Sequence, residues 1–139
     1  MSEEIKKFFK TYTEFVTKVT SEPSIDLEAL KKSFNKIEES SNIKTPRLLT
    51  AALGLGSETG EFVEIVKKMF LQGKPPSEDN IFHMKRELGD IMWYVAQACM
   101  ALDTDFNEII EMNVEKLKAR YPGGEFDVHY SENRKEGDV

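Results

Sequence analysis

The sequence predicts an all-α fold, a helical bundle of about five helices in a single domain. Two observations predict it. Apolar residues recur at intervals of three and four almost throughout, and no stretch alternates apolar and polar residues as a half-buried strand does. Residues that start helices precede most of these periodic stretches, and Pro- or Gly-containing stretches interrupt them.

The first helix follows Ser2, with Ile5, Phe8, Phe9, Tyr12, Phe15, Val16 and Val19 on one stripe and Pro23 ending the pattern. A shorter second helix carries Leu27, Leu30, Phe34 and Ile37, and "ESSNIKTP" is a polar linker. Thr45 before Pro46 reads as a capping hydroxyl ahead of a first-turn proline, so a third helix runs from there to about Leu71. "QGKPPS" breaks it. Ser77 caps a fourth helix, with Glu78 and Asp79 in the favourable first turn, and this helix runs to about Leu102. Asp105 with Glu108 resembles a capping box for a fifth helix ending near Arg120. Residues 1–45 thus hold N-terminal helices, 46–120 the chemistry-bearing helices and 121–139 a polar tail.

Composition narrows the function. The 139 residues suffice for one core, and a net charge of -6 with scattered lysines argues against a nucleic-acid or anionic-membrane surface. One cysteine, Cys99, forbids an intrachain disulfide, and with His83 and His129 far apart a thiolate–imidazole zinc site is not expected. The N-terminus has no signal-peptide apolar core. The longest apolar stretch, "IMWYVAQACMAL", is too short to span a bilayer and contains Gln97. A cytoplasmic setting is expected.

Acidic residues on the third and fourth helices carry the chemistry. At 100° per residue from Glu58, Phe62, Ile65, Val66 and Met69 fall within about 80° of it, so Glu58 lies inside the apolar stripe. Glu61 sits on the stripe's edge, with Lys68 nearby. Glu64 and Lys67 lie further out. On the fourth helix, Glu87 shares a stripe with Met84, Ile91, Tyr94, Val95 and Ala98, and Asp90 occupies the edge. An acid pair on one helix is usually a solvated face. Two pairs, each at the seam where consecutive helices pack, repel one another unless a proton or a cation intervenes. Oxygen ligands without cysteine or histidine favour Mg2+, with Mn2+ as a substitute, and Mg2+ also takes phosphate oxygens from a substrate. A di-iron bundle would need Glu-x-x-His pairs, and neither histidine has a glutamate three residues before it. On the fifth helix, Asn113, Lys116 and Arg120 form a polar strip beside Phe106, Ile109 and Leu117, suited to gripping phosphates or to acting as a snorkelling rim. The fourth helix is apolar nearly all round, since Trp93, Ala96 and Met100 point away from its main stripe. Such a helix is buried on several sides.

Glu58-x-x-Glu61, then 25 residues, then Glu87-x-x-Asp90 resembles the signature of the MazG-like all-α nucleoside triphosphate pyrophosphohydrolases. The flanks "LGLGSETGEFVEIVKK", "KRELGDIMWYVAQAC" and "NVEKLKARYPGGEF" are similar as well, and "SENRKEGD" resembles the short proteins of this type in phages and mobile elements. The resemblance runs from near Pro46 to near Asp138. It implies Mg2+-dependent hydrolysis of a nucleoside triphosphate to the monophosphate and pyrophosphate. It implies Glu58, Glu61, Glu87 and Asp90 as catalytic metal ligands, with Glu64 as an outer acid. Lys67, Lys68, Asn113, Lys116 and Arg120 would be phosphate-binding residues, and the chain would form a homodimer or homotetramer in the cytoplasm, the host's if phage-encoded. The other function class left open is a catalytically weak helical protein that binds nucleotide or a partner and regulates.

Overall fold

Helices begin in this chain where a side-chain oxygen supplies the acceptor that the first-turn N–H groups lack. The computed structural model describes residues 2–133. Ser2 caps α1 (Glu3–Val19), accepting from the Ile5 N–H at 3.4 Å, and Asp26 caps α2 (Leu27–Ser40), accepting from the Ala29 N–H at 2.7 Å. Ser77 caps α4 (Glu78–Leu102), Asp105 caps α5 (Phe106–Arg120) and Asp127 caps α6 (Val128–Glu132). The exception is α3 (Thr45–Leu71), which Lys44 precedes. Thr45 was expected to be its cap but is its first helical residue and is buried, and Pro46 takes the next position, where no intrahelical donor is required.

The fold is all-α, and no strand occurs among the described residues. The chain groups into two compact units, Met1–Asn42 and Ile43–Val139. In the first, α1 and α2 are joined by a 3-10 turn over Glu22–Ser24 that contains Pro23 and packs against α2. The α1 stripe is exposed, with Phe8, Phe15 and Val19 each at least 60% accessible.

In the second unit, α3 and α4 pack antiparallel along their length, and they are its one extensively packed helix pair among the described residues. The Lys44 N–H donates to the Ala101 carbonyl at 2.9 Å, tying the start of α3 to the end of α4. At the other end Gly73, with φ +71°, leaves α3 in the left-handed region that glycine tolerates, and the Lys74 N–H reaches the Lys68 carbonyl at 3.0 Å. The Asn80 side chain then donates to the Pro75 carbonyl at 2.7 Å, fixing the loop on α4. Between these ends the helices meet on small residues. Ala51, Cys99 and Ala101 are buried, and the Tyr94 ring lies directly on Gly54.

Two expectations need correction. The Glu108 side chain does not reach back to cap Asp105: it receives the Thr104 hydroxyl, while Asp105 accepts from the Asn107 and Glu108 N–H groups. Nor is α4 buried on several sides within one chain. Trp93, with its ring edge-on to Tyr94 at 4.8 Å, and Met100 are both more than half exposed. The polar tail contributes α6, and the last five residues of "SENRKEGD" lie outside the described residues.

The seam makes a paired prediction about glycines of α3. A Cβ at position 54 would stand 2.0 Å from Tyr94 Cε1, whereas nothing lies within 4 Å of one at position 60. Gly54→Ala should therefore cost about 1–3 kcal/mol through overpacking. Gly60→Ala should add about 0.5–1 kcal/mol through helix propensity. Urea denaturation of both variants checks this, and equal stability of Gly54→Ala and the parent would refute so close a seam.

Candidate metal centre

Glu58 and Glu61 are one helical turn apart on α3, and Glu87 reaches them from α4 across the seam. One carboxylate oxygen from each of the three lies within 4.8 Å of the others. Oxygens around a magnesium ion at about 2.1 Å stand about 3 Å apart when adjacent and about 4.2 Å when opposite. Separations within 4.8 Å bring the three acids near that range, and Glu61 is exposed enough to adjust its rotamer. The donor set is all carboxylate, which suits a hard divalent cation and not a thiophilic one.

The electrostatics of the cluster centre on Glu58. Partial burial pushes its carboxyl above the ordinary glutamate pKa, and the charges of Glu61, Asp90 and Glu87 push it further. A hydrogen bond to Glu87 acts in the same direction. Burial and clustered charge thus disfavour an ionised Glu58 unless a cation offsets them. Asp90 is exposed and adds to the repulsion on Glu58, but it stands outside the group of three.

The other sequence-selected residues are placed differently. Lys67 and Lys68 both bind the Glu64 carboxylate, Lys68 at 3.2 Å, and hydrogen bonds from these ammonium groups hold Glu64 below its ordinary pKa. Their partner is thus the outer acid, one turn beyond Glu61. Asn113 and Lys116 are exposed on α5, and among the described residues no hydrogen bond or ion pair links them to the acids. Arg120 is half-buried at the end of α5.

Sequence reasoning did not single out the polar contact at the other end of the seam. The Arg47 guanidinium on α3 donates from Nη1 to Gln97 Oε1 on α4 at 2.7 Å, and Met100 Sδ lies 3.4 Å away. Gln97 was visible as the amide that interrupts "IMWYVAQACMAL". Its partner, fifty residues away, was not.

The raised pKa of Glu58 has a pH consequence. A carboxyl whose folded pKa exceeds its unfolded value of about 4.3 contributes its full stabilisation below that value and loses it as pH rises through the folded one. In metal-free protein, Glu58→Gln should therefore gain stability relative to the parent as pH rises across this window. Glu64 works oppositely: its contribution is present above the unfolded pKa and is lost as pH falls through its lowered one. Denaturation curves of parent and Glu58→Gln from pH about 4 to about 8 test this, and a pH-independent difference would contradict it.

A family model for the MazG nucleotide pyrophosphohydrolase domain matches residues 47–124, which include the three clustered acids, Asp90, the lysines of α3 and all of α5. Gene 37 protein of Mycobacterium phage L5 is 38% identical over 74 residues, 52% of this chain and 64% of that protein. The chain thus spans less than two thirds of this phage relative. No solved structure matches. With more than half of its length matched by the family model, the chain belongs to the MazG nucleotide pyrophosphohydrolase family.

Proposed function

We propose that the protein hydrolyses ribo- or deoxynucleoside triphosphates to the monophosphate and pyrophosphate in a Mg2+-dependent reaction, as a nucleotide-pool or house-cleaning enzyme. The observation that carries this reading is the convergence of Glu58, Glu61 and Glu87 from two helices within a chain of this family. Glu58, Glu61, Glu87 and Asp90 would hold the ion. When bound, Mg2+ neutralises phosphate charge and acidifies water, and Mn2+ could take its place.

The chain's own residues supply the rest. A bound cation would offset the burial and neighbouring charge that oppose an ionised Glu58. Water adds to the α-phosphorus, the bond to the bridging oxygen breaks, and pyrophosphate leaves. A carboxylate oxygen of the cluster accepts the proton of the attacking water. Lys67 and Lys68, held by Glu64 beyond the acids, meet the departing phosphates and offset their charge. Asn113, Lys116 and Arg120 of α5 add phosphate contacts in the assembled protein.

That assembly is a homodimer or homotetramer. It is supported by α5, which has no buried residue and exposes Ile110 and Met112, and by the exposed Phe70, Trp93 and Met100 of the α3–α4 pair. No helix among the described residues is long and apolar enough to cross a membrane, so a bilayer is not proposed as the cover. Light scattering on the purified chain should give two or four times 15.9 kDa. A monomeric mass at micromolar concentration would count against it.

The decisive assay is pyrophosphate release from a panel of triphosphates with and without Mg2+. Release should require the ion, and Glu58→Gln and Glu87→Gln should each lower kcat by about 100-fold or more. Without metal both variants should be at least as stable as the parent, because like-charge repulsion is relieved. A clear fall in metal-free Tm for both would mark these acids as structural. A parent that binds triphosphates but turns none over would favour the regulatory reading.

A further inference from the structure

Resting on the pyrophosphohydrolase reading above, the seam has a direction along α3. Lys67 and Lys68 lie beyond the acids at the α3 C-terminal end, and the Arg47–Gln97 pair lies at the opposite end. Arg47 is eleven residues before Glu58 and Gln97 seven after Asp90. Both spacings return to within about 20° of the same helix face. If the β- and γ-phosphates extend toward the lysines, the nucleoside extends toward Arg47 and Gln97. The distance from Asp90 to Gln97 along α4 is about 10 Å, within reach of a base carried through a sugar on the α-phosphate. Tyr94 lies between, its ring packed on Gly54.

The chemistry at that end suits a base edge. Lys44, Pro46, Arg47, Thr50 and Gln97 line an open concavity of 430 Å³. Arginine has only donors, so the Gln97 amide must turn its oxygen toward Arg47, which leaves its NH2 as the group still to be used. Among the described residues neither that NH2 nor the remaining guanidinium N–H groups find a protein hydrogen-bond acceptor. The two side chains are half-buried and present donors without acceptors.

We propose that Arg47 and Gln97 read the nucleobase, selecting edges that carry carbonyl acceptors, as in guanine, uracil or thymine, over the amino edges of adenine and cytosine. Gln97→Glu provides the test, because it keeps a partner for Arg47 while exchanging the amide donor for an acceptor. In the parent, kcat/KM should be higher for the oxo bases. In the variant their KM should rise about tenfold, the loss of the amide donor to the base carbonyl, and the amino bases should gain. The Mg2+ requirement should persist, because the acids that would hold the ion are unaltered. Gln97→Ala should flatten the ranking without inverting it.

Affinities for non-hydrolysable triphosphate analogues, measured in parallel, give the base contact its own readout. A parent that is inactive but binds oxo-base analogues more tightly, with the preference reversed in Gln97→Glu, would overturn the hydrolase reading and leave base reading standing. A parent that favours amino bases, or a ranking that Gln97→Glu leaves unchanged in both turnover and affinity, would overturn base reading. The pair would then only staple the ends of α3 and α4.

Discussion

Carboxylates held at a helix–helix seam set the terms for this structure. Glu58 sits where an amphipathic helix would ordinarily place leucine, and Glu87 faces it from α4. Partial burial and neighbouring charge both oppose ionisation there. A divalent cation held between them would relieve that cost. The small residues along the seam fit the same logic. Gly54 under Tyr94, with Ala51 and Ala101 buried nearby, lets the helices approach closely enough for acids on both to converge.

The close seam has a consequence for the core. Only Ala51, Cys99 and Ala101 are buried apolar residues, and no large side chain is fully buried among the described residues. A helix pair meeting on alanine and glycine removes little apolar area from water at about 25 cal/mol per Å². Several larger apolar residues of these helices, among them Phe70, Trp93, Met100 and Ile110, remain exposed. A hairpin so organised gains much of its stability from whatever covers it, so assembly and function are coupled through the same two helices.

Much of this was legible in sequence. The ends of α3, α4 and α5 follow from Pro46, the break at "QGKPPS", Ser77 and Asp105, because caps and breakers act within a few residues. The convergence of Glu58, Glu61 and Glu87 follows from helical period once α3 and α4 are taken as neighbours. The remainder depends on interactions that period does not encode. Thr45 moved inside its helix because the Lys44 backbone bond to Ala101 sets where α3 starts. Lys67 and Lys68 settled on Glu64 because they lie three and four residues from it, a local pairing that competes with any longer-range role. α6 is a five-residue helix carried by the Asp127 cap in a stretch without enough apolar periodicity to announce it.

The seam separates its tasks by position because each element tolerates only certain neighbours. Cations beside the acids would pair with them and quench the site, and here Glu64 keeps Lys67 and Lys68 one turn away. Arg47 is a cation at the opposite end, and the Gln97 carbonyl holds it there without adding negative charge. A carboxylate in place of Gln97 would hold Arg47 as well, but would add a charge on the same face of α4 as Asp90. A neutral amide therefore serves both requirements, anchoring the guanidinium while leaving the acidic middle of the seam as the region that calls for a cation.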